Sequence, residues 1–412
     1  MLFHLEPAED DGRYREPGPI NPGPGETFVH LCRQAQLESV ARRHFFGRVA
    51  QAVAIEESQL VPGLLRDEDL YGHGSFPHYY GSIPLSAQRS RRPLPPVSRA
   101  EVEAALPVVR RFFPPTPLVF APRLSQRLGK ELWLKLELVT PVRTFKLRGA
   151  LHRVHAIQGP RPVVTASGGN HGLAVAWAAR AFRRPATVVV PERVNPRKAE
   201  AIAGFGAELV RHGVDYQAAY ERSLEIAEAQ GAQHVHAYDD PWVIAGQGTV
   251  ALELSDFAPD TIFAGIGGGG LIGGIVAATL GAENAPRIYG AATEGGHSMA
   301  LSLDAGRIVG LEQVTTVADG LGARRPGRLA FALARQGVRE VLLVNDRALF
   351  EAARTLLFEE SLLGEIAGVA GLAAALAYPD RLGARNVVVL SGANISEAAL
   401  AEITRPAARE TL

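Results

Sequence analysis

From about Val97 onward, short apolar runs alternate along the chain with longer segments of helical periodicity. The apolar runs lack a clean alternation of polar residues, which is typical of strands buried on both faces of a parallel sheet. Alternating strands and helices of this kind predict an α/β fold. The strand-like runs are Leu132–Leu136, Pro162–Ala166, Thr187–Val190, Thr261–Ile266, Ile288–Ala292, Val341–Val344 and Val387–Leu390. The helix-like runs are Leu147–Ile157, Gly172–Ala181, Val214–Gln230, Leu271–Leu280 and Ala348–Leu363.

The pattern before that point is different. Phe28–Cys32 and Val49–Ile55 read as short strands and Gln34–Phe46 as a helix, so residues 1–90 are expected to form a small α+β domain. The next segment, 91–106, opens with arginines and prolines that resist packing. We therefore expect a linker there.

Composition narrows the possible partners and location. A length of 412 residues predicts two or three hydrophobic cores. Basic and acidic residues number 43 each, so neither nucleic acid nor an anionic membrane is an expected partner. Cys32 is the only cysteine, which excludes an internal disulfide and fits a reducing compartment. No secretory signal is present, and the most apolar window, Ile366–Tyr378, is too short to span a bilayer. We expect a cytoplasmic protein.

Lysine is rare, which draws attention to Lys146. The chain has four lysines, and arginine supplies the other 39 of its 43 basic residues. A primary amine can lose its proton and form a Schiff base with an aldehyde, whereas a guanidinium cannot. Lys146 lies between the strand-like run ending at Glu137 and the helix-like Leu147–Ile157, where a ligand can approach. From its position alone, it could equally be a surface lysine in a loop.

Three small-residue motifs also follow predicted strands. Gly267–Gly270 lies between a strand and a helix, where backbone N–H groups and the helix dipole favour an anion, although a glycine run can also be a packing turn. Ser167–Gly172 opens a helix; its amides suit a carboxylate, and the alternative is an ordinary serine N-cap. Ser391 follows Val387–Leu390.

Taken together, Thr144–Ala150, Ser167–Gly172, Gly267–Gly270 and Ser391–Asn394 resemble motifs of the fold-type-II (tryptophan synthase β-like) pyridoxal-phosphate (PLP) enzymes. They resemble in particular those of the threonine/serine dehydratase family, over about 107–401. The resemblance implies two parallel-sheet subdomains, with a mobile one inserted at about 161–235, and a tail over 402–412. It also implies a homo-oligomer, either a dimer or a tetramer.

The resemblance assigns roles to individual residues. Lys146 would bind the cofactor as a Schiff base and remove the substrate α-proton, with Phe145 beside it. The cofactor phosphate would be bound by Gly267, Gly268, Gly269 and Gly270. Ser391 would face the pyridine nitrogen, and Asn170 the ring oxygen. Residues expected to bind the substrate are Ser167, Gly168, Gly169, Asn170 and His171.

The implied reaction is β-elimination of water from L-threonine, L-serine or a related β-hydroxy amino acid, giving a 2-oxo acid and ammonia. Related racemases carry an acid/base serine where this chain has Gly168, so elimination is favoured over proton exchange. A racemase, a β-replacement synthase and a non-enzymatic sensor remain alternatives. No metal is expected: Ala292–Thr293 replaces the Glu-Pro of cation-binding relatives, and His234 and His236 are interpreted as packing residues. A C-terminal regulatory domain is not expected either.

Residues 1–90 also resemble a known group, a small bacterial domain family of uncharacterised function. The resemblance is carried by His4, Phe28–His30, Phe76–His78 and Tyr80–Gly81. The three histidines, at positions 4, 30 and 78, could converge on a ligand pocket; alternatively, each is a structural histidine bonded to the backbone. The sequence leaves open whether this domain is an enzyme or a ligand sensor.

Overall fold

The computed structural model describes residues 1–9, 13–14, 17–23, 26, 28–69 and 75–405. The chain forms two compact units, Met1–Pro96 and Val97–Leu412, here called the N-terminal unit and the C-terminal unit. Each is described separately below.

The described residues of the N-terminal unit form two small antiparallel sheets and one α-helix. One sheet has the order β3-β1-β4-β7 and the other β2-β6-β5. Strand β4 is buried along its whole length and lies at the centre of the first sheet. The elements are β1 (Leu2–Pro7), β2 (Val29–His30), β3 (Cys32–Arg33), α1 (Leu37–Phe45), β4 (Ala50–Ile55), β5 (Leu65–Glu68), β6 (Phe76–Tyr79) and β7 (Gln88–Leu94).

The predicted linker 91–106 is wrong, because most of it is regular structure. Strand β7 continues to Leu94 and pairs with β4, and a helix begins at Arg99. Pro93 is tolerated because β7 is the edge of its sheet, the position in a sheet where proline is accepted. The helix begins with a capping box formed by Ser98 and Glu101.

The C-terminal unit alternates strands and helices for most of its length. Its strands are β8 (Leu118–Phe120), β9 (Glu131–Leu136), β10 (Val163–Ala166), β11 (Ala186–Val190), β12 (Glu208–Arg211), β13 (Gln233–His234), β14 (Thr261–Gly265), β15 (Arg287–Thr293), β16 (Val338–Val344) and β17 (Arg385–Leu390). Its helices are α2 (Arg99–Arg110), α3 (Pro122–Leu128), α4 (Lys146–His155), α5 (Asn170–Ala181), α6 (Pro196–Ala203), α7 (Tyr216–Ala229), α8 (Pro241–Leu252), α9 (Gly270–Thr279), α10 (Ser298–Ala305), α11 (Arg328–Gly337), α12 (Asp346–Glu360), α13 (Ala370–Ala377) and α14 (Glu397–Thr404).

These strands form two sheets, which confirms the predicted α/β fold. The larger sheet has the order β16-β15-β14-β17-β9-β8, parallel except for the edge strand β8. The smaller sheet, β12-β11-β10-β13, is wholly parallel and spans residues 163–234. Strand β17 is last in the chain but lies in the interior of the larger sheet, between β14 and β9. Its run Asn386–Leu390 is buried, as expected for a strand covered on both faces.

Three strands of the C-terminal unit escaped prediction from sequence, and each lies at a sheet edge. Strand β12 is only partly buried and carries charged residues at both ends, while β13 has two residues. Strand β8 has three residues, two of them exposed. The expected tail 402–412 is helical up to Thr404, and residues 406–412 lie outside the described part of the chain.

Candidate active site

Lys146 is the first residue of α4, and its amine is held inside the C-terminal unit. Its Nζ donates a hydrogen bond to the carbonyl oxygen of Ala237 at 2.8 Å. Burial lowers the pKa of this amine from 10.5 to about 8. The ring of Phe145 lies 5.3 Å from Nζ. An amine with this pKa is partly neutral at physiological pH, and is therefore a competent nucleophile and base.

A tight turn places Lys146 in position. The Thr140 hydroxyl accepts a hydrogen bond from the Thr144 N–H and donates to the Thr144 carbonyl, both at 2.9 Å. Arg143, inside this turn, has a left-handed backbone with a φ of 56°. This conformation is unfavourable for a residue with a side chain. The surrounding bonds hold it, since the Arg143 N–H donates to Thr140 O and its carbonyl accepts from Ala393 N.

Ser391 lies directly beside this turn. It follows β17, its carbonyl accepts the N–H of Phe145 at 3.0 Å, and its own N–H donates to Gly368 O at 3.1 Å. Thr144 and Gly392 form an isolated β-bridge. The Ser391 hydroxyl makes no hydrogen bond with another described residue. Two sequence motifs more than 240 residues apart are thus joined through the backbone.

The loop after β10 joins the same site through Asn170. The Asn170 amide donates to Glu365 Oε1 at 2.6 Å. Its carbonyl oxygen accepts from the Asn394 amide at 2.7 Å, and that same amide donates to Val142 O. Burial raises the pKa of the Glu365 carboxyl group above its usual value. Asn170 therefore ties the Ser167 loop to the segments that carry Lys146 and Ser391.

The other residues of this loop have contrasting positions. The Gly169 N–H donates to the Ser167 hydroxyl at 3.2 Å, which shapes the turn. A side chain at Gly168 would place its Cβ 2.7 Å from Val194 Cγ2. His171 is buried, with Nε2 donating to Val235 O at 3.1 Å, and its Nδ1 has no partner among the described residues. Its ring thus faces the strand side of the loop.

Gly267–Gly270 forms a turn between β14 and α9 in which side chains would not fit. Gly269 has a left-handed φ of 94°, and a Cβ at Gly268 would lie 2.4 Å from the Tyr238 ring. The N–H groups of Gly267, Gly268 and Gly269 make no hydrogen bond to another residue of the described chain. They are therefore available as donors at the N-terminus of a helix, where an anion is favoured.

Sequence reasoning assigned no site role to Tyr238, Glu365 or Asn394, which the structure places among the predicted residues. Tyr238 follows Ala237, the acceptor for Lys146, and its ring packs on the glycine turn. The backbone of this segment is fixed by His236, whose Nδ1 accepts from Tyr238 N and Asp239 N. Such contacts join distant segments, and spacing along the chain does not reveal them. Each of the three lies in a stretch that matches the resembled family, Asn394 in the Ser391 motif, but no role was assigned to any of them.

A buried ionic network anchors the helix that begins at Lys146. The Arg148 guanidinium bonds both oxygens of Glu137, at 2.7 and 2.9 Å, and both oxygens of Glu253, at 2.9 and 2.8 Å. Lys135 Nζ reaches Glu253 Oε2 at 2.7 Å. Burial raises the pKa of Glu253, but Arg148 and Lys135 outweigh this effect and lower it overall. The residue two positions after Lys146 is thereby fixed in the core.

The two histidines that could have imitated a metal pair are bonded inside the protein. His234 Nε2 lies 2.9 Å from the Ser223 hydroxyl, and His236 accepts from the backbone. Within the described residues, no group of three or more His, Cys, Asp and Glu side chains is arranged to hold a metal ion. The described helices also include none of the length and apolar character needed to cross a bilayer.

Comparison with known proteins gives matches in both units. Residues 109–392 match the family model described as pyridoxal-phosphate dependent enzyme. Residues 4–89 match a family described as a protein of unknown function (DUF952). An L-threonine ammonia-lyase of Thermotoga maritima is 38% identical over 285 residues, which cover 68% of this chain and 71% of that protein.

Solved structures with the same fold include two plant enzymes. Maize serine racemase superposes with a TM-score of 0.70 at 30% identity, covering 74% of this chain and 95% of that one. The processed form of threonine deaminase isoform 2 from Solanum lycopersicum has a TM-score of 0.69 at 30% identity, covering 74% and 93%. The similarity thus extends over nearly the whole length of both plant chains.

Proposed function

The chain belongs to the pyridoxal-phosphate dependent enzyme family, and from this we propose that it eliminates water from L-threonine, L-serine or a related β-hydroxy amino acid. The products would be a 2-oxo acid and ammonia. The similarity to a threonine ammonia-lyase and a threonine deaminase supports this reaction.

The residues around Lys146 fit the cofactor. The Lys146 amine would attach it, and the unpaired N–H groups of Gly267–Gly269 suit its phosphate. The Ser391 hydroxyl, which has no bond within the described chain, would meet the pyridine nitrogen. Asn170 would face the ring oxygen. Together these groups supply a nucleophile, an anion site and two neutral hydrogen-bonding groups, which are the contacts that PLP requires.

When bound, PLP supplies an electron sink for the pair released as the substrate Cα–H bond breaks. Lys146 would take that proton, because its lowered pKa lets the amine act as a base near neutral pH. The backbone N–H groups of Gly168 and Asn170 would orient the substrate carboxylate, since those of Ser167 and Gly169 already donate within the protein. The bonds from Asn170 to Glu365 and Asn394 hold this loop next to Lys146. The released enamine would hydrolyse in water to the 2-oxo acid and ammonia.

The observation that carries the proposal is the partly buried Lys146 side chain, whose amine has a pKa near 8, at the meeting point of the motif loops. The test is to incubate the PLP-loaded protein with L-threonine, L-serine and L-threo-3-hydroxyaspartate, and to measure 2-oxo acid and ammonia. L-alanine, which has no β-leaving group, is the control substrate. Lys146→Ala should abolish both turnover and the near-visible absorbance of the bound cofactor, whereas Lys130→Ala should change neither. Full turnover in Lys146→Ala would reject the assignment.

Racemisation is the second candidate, favoured by the similarity to maize serine racemase. Gly168 argues against it, since glycine offers no proton to the second face of the substrate. The space beside Gly168 is also occupied by Val194, 2.7 Å from where a Cβ would lie. Chiral chromatography of a serine incubation separates the two reactions. Formation of D-serine faster than pyruvate would favour the racemase. Formation of cysteine from O-acetylserine and sulfide would reveal a β-replacement synthase.

We further propose that the enzyme works in the cytoplasm as a homodimer or homotetramer, with its catalytic domain at about 107–401. The proposed mobile subdomain, about 161–235, contains the smaller sheet. Light scattering on the purified holoenzyme measures the oligomeric state, and a monomeric mass would contradict this part of the proposal.

A further inference from the structure

The N-terminal unit contains a cavity that the proposed catalysis does not use. Its volume is about 550 Å³, within the range of pockets that bind small organic molecules. The walls come from β1, β6, α1 and the chain around β2 and β5. The matching family is described only as being of unknown function. The chemistry of the walls is therefore the guide to what the cavity binds.

Apolar side chains line much of the cavity. Phe3 contributes from β1, Leu31 from the position between β2 and β3, Val40 and Phe45 from α1, and Phe76 from β6. Aromatic and branched side chains of this kind favour an apolar or ring-shaped ligand body.

Four histidines line the same cavity, at positions 4, 30, 44 and 78, and His4 and His78 offer it ring nitrogens. His4 Nδ1 lies 3.0 Å from the carbonyl oxygen of His30 and must donate to it. Burial lowers the pKa of His4, which favours the neutral ring, in which Nε2 is an acceptor. His78 is only 3% exposed and lines the cavity, yet its Nδ1 has no hydrogen-bond partner among the described residues. A buried polar group without a partner is unfavourable and points to a missing ligand.

Charged groups of both signs also line the cavity. The Arg43 guanidinium is exposed and makes no ion pair with another described residue. Two carboxylates, Glu68 and Asp69, lie on the wall formed by β5 and the residue after it. Glu68 accepts a hydrogen bond from the Tyr80 hydroxyl at 2.7 Å and lies 3.9 Å from His78 Nδ1. The cavity therefore combines acceptors and carboxylates with a single cation that lacks an ion pair.

We propose that this cavity binds a small dipolar molecule with an apolar body, the class that includes α-amino acids with large apolar side chains. Its amine faces His4 and Glu68, and its carboxylate faces Arg43. Its apolar body occupies the space between Val40 and Phe76. The site lies wholly within the N-terminal unit and is independent of the reaction proposed at Lys146.

A set of indole compounds tests each part of this description on the full-length holoenzyme. L-tryptophan carries the body, the amine and the carboxylate, tryptamine lacks the carboxylate, and indole-3-propionate lacks the amine. Isothermal titration should show L-tryptophan binding about tenfold or more tightly than either analogue, the usual size of one charge-assisted contact. Equal binding of all three, or no binding of L-tryptophan, would overturn the proposal.

Two substitutions on exposed positions of α1 locate the binding. Arg43→Gln should weaken L-tryptophan about tenfold and leave tryptamine unchanged, because only the carboxylate contact is lost. Arg42→Gln is the matched control, since Arg42 is an exposed neighbour of the same charge that does not line the cavity. Ser39→Trp should obstruct the cavity. Binding of L-tryptophan in the C-terminal unit would be the same in all these variants, so only a difference between them reports on the cavity. Binding that is unchanged in Ser39→Trp would therefore contradict the proposal.

Cys32 gives a second measurement confined to this site. It is the only cysteine in the sequence and lines the cavity, and burial raises the pKa of its thiol to about 11. Alkylation of this thiol at pH 9 should be slow, and its rate is measured by intact-protein mass spectrometry. L-tryptophan should lower the rate in wild type but not in Ser39→Trp. An unchanged rate in wild type would contradict occupancy of the cavity. Turnover of threonine is measured in parallel, so failure of this site and failure of the catalytic proposal are separate results.

Discussion

At the scale of single residues, the environment of Lys146 determines what its amine can do. The usual amine pKa of 10.5 would leave almost no neutral base at pH 7. Burial brings it to about 8 and so raises the neutral fraction by more than two orders of magnitude. The acceptor that holds Nζ is a backbone carbonyl rather than a carboxylate. A carboxylate partner would have stabilised the protonated amine and opposed this effect.

This shift predicts a pH-dependent stability difference between wild type and Lys146→Met. Because the folded protein binds this proton less tightly than the unfolded chain does, protonated Lys146 destabilises the fold. The destabilisation is complete below the folded pKa of about 8 and absent above the unfolded pKa of 10.5. In cofactor-free protein at pH 7, Lys146→Met should therefore be more stable, by at most about 3 kcal/mol. The gain should disappear as the pH rises from 8 to 10.5. Urea unfolding followed by tryptophan fluorescence measures it, because all three tryptophans lie in the C-terminal unit.

A gain that stayed constant from pH 7 to pH 10.5 would contradict the lowered pKa. Lys130→Met is the control, because Lys130 is an exposed lysine in a loop, and its stability difference should be small at every pH.

The sequence allowed prediction of those site residues whose chemistry or turn geometry is local. Lys146 was singled out by lysine scarcity, and Gly267–Gly270 by its place between a strand and a helix. Glu365 could not be found in this way, because its contact with Asn170 joins positions 195 residues apart. Tyr238 was missed for the same reason, because its ring meets the glycine turn at Gly268, 30 positions further along the chain.

At the scale of elements, α4 is fixed at its start by the Arg148 network, and this predicts a large loss on substitution. Arg148→Met would leave Glu137 and Glu253 without their buried cation and should destabilise the C-terminal unit by about 3–5 kcal/mol. Urea denaturation provides the measurement. The control is Arg347→Met, which removes an exposed pair with Glu351 and should cost less than about 1 kcal/mol.

The same network predicts coupling between its members. Glu137 bonds only Arg148 and Thr116 among the side chains of the described chain. Adding Glu137→Gln to Arg148→Met should therefore recover part of the loss, because one unpaired buried charge is removed. Additive losses would show that the carboxylate and the guanidinium do not depend on each other.

The glycine turn before α9 predicts a specific effect on cofactor affinity. In Gly269→Ala, the alanine would have to adopt the left-handed backbone conformation that glycine has here. Its Cβ would also lie 2.6 Å from Met299 Cε and 2.8 Å from Ala330 Cβ. The turn must shift, so the PLP concentration for half saturation should rise about tenfold or more, as expected for a displaced charge-assisted contact. Absorbance titration of the cofactor-free protein measures it. Gly306→Ala also has a positive φ but open space, and it should leave PLP affinity unchanged.

In the C-terminal unit, element prediction succeeded where burial controls the pattern and missed three edge strands. Interior strands such as β14 and β17 are continuous apolar runs and were found close to their true bounds. β7 was taken for a linker because Pro93 and its arginines suit an exposed edge, where the hydrophobic pattern is weakest.

At the scale of the whole molecule, each unit has its own buried core. The main core clusters of the C-terminal unit contain residues from Val109 onward, and those of the N-terminal unit end at Leu94. A chain consisting of residues 97–412 should therefore fold, bind PLP and turn over threonine at the rate of the full chain. Cofactor absorbance and a 2-oxo acid assay measure this. A shortened chain that folds and binds PLP but has lost turnover would show that catalysis needs the first 96 residues.

The position of β17 has a consequence for how the protein is made. The ribosome synthesises the chain from its N-terminus, so the N-terminal unit can fold early. The larger sheet of the C-terminal unit cannot close until residues 385–390 emerge, because β17 lies between β14 and β9. Until then, two partial sheets have open edges of the kind that invites aggregation. Premature termination upstream of β17 would leave both edges unpaired and remove Ser391, so a truncated product would lack a complete site and be a target for cellular proteolysis.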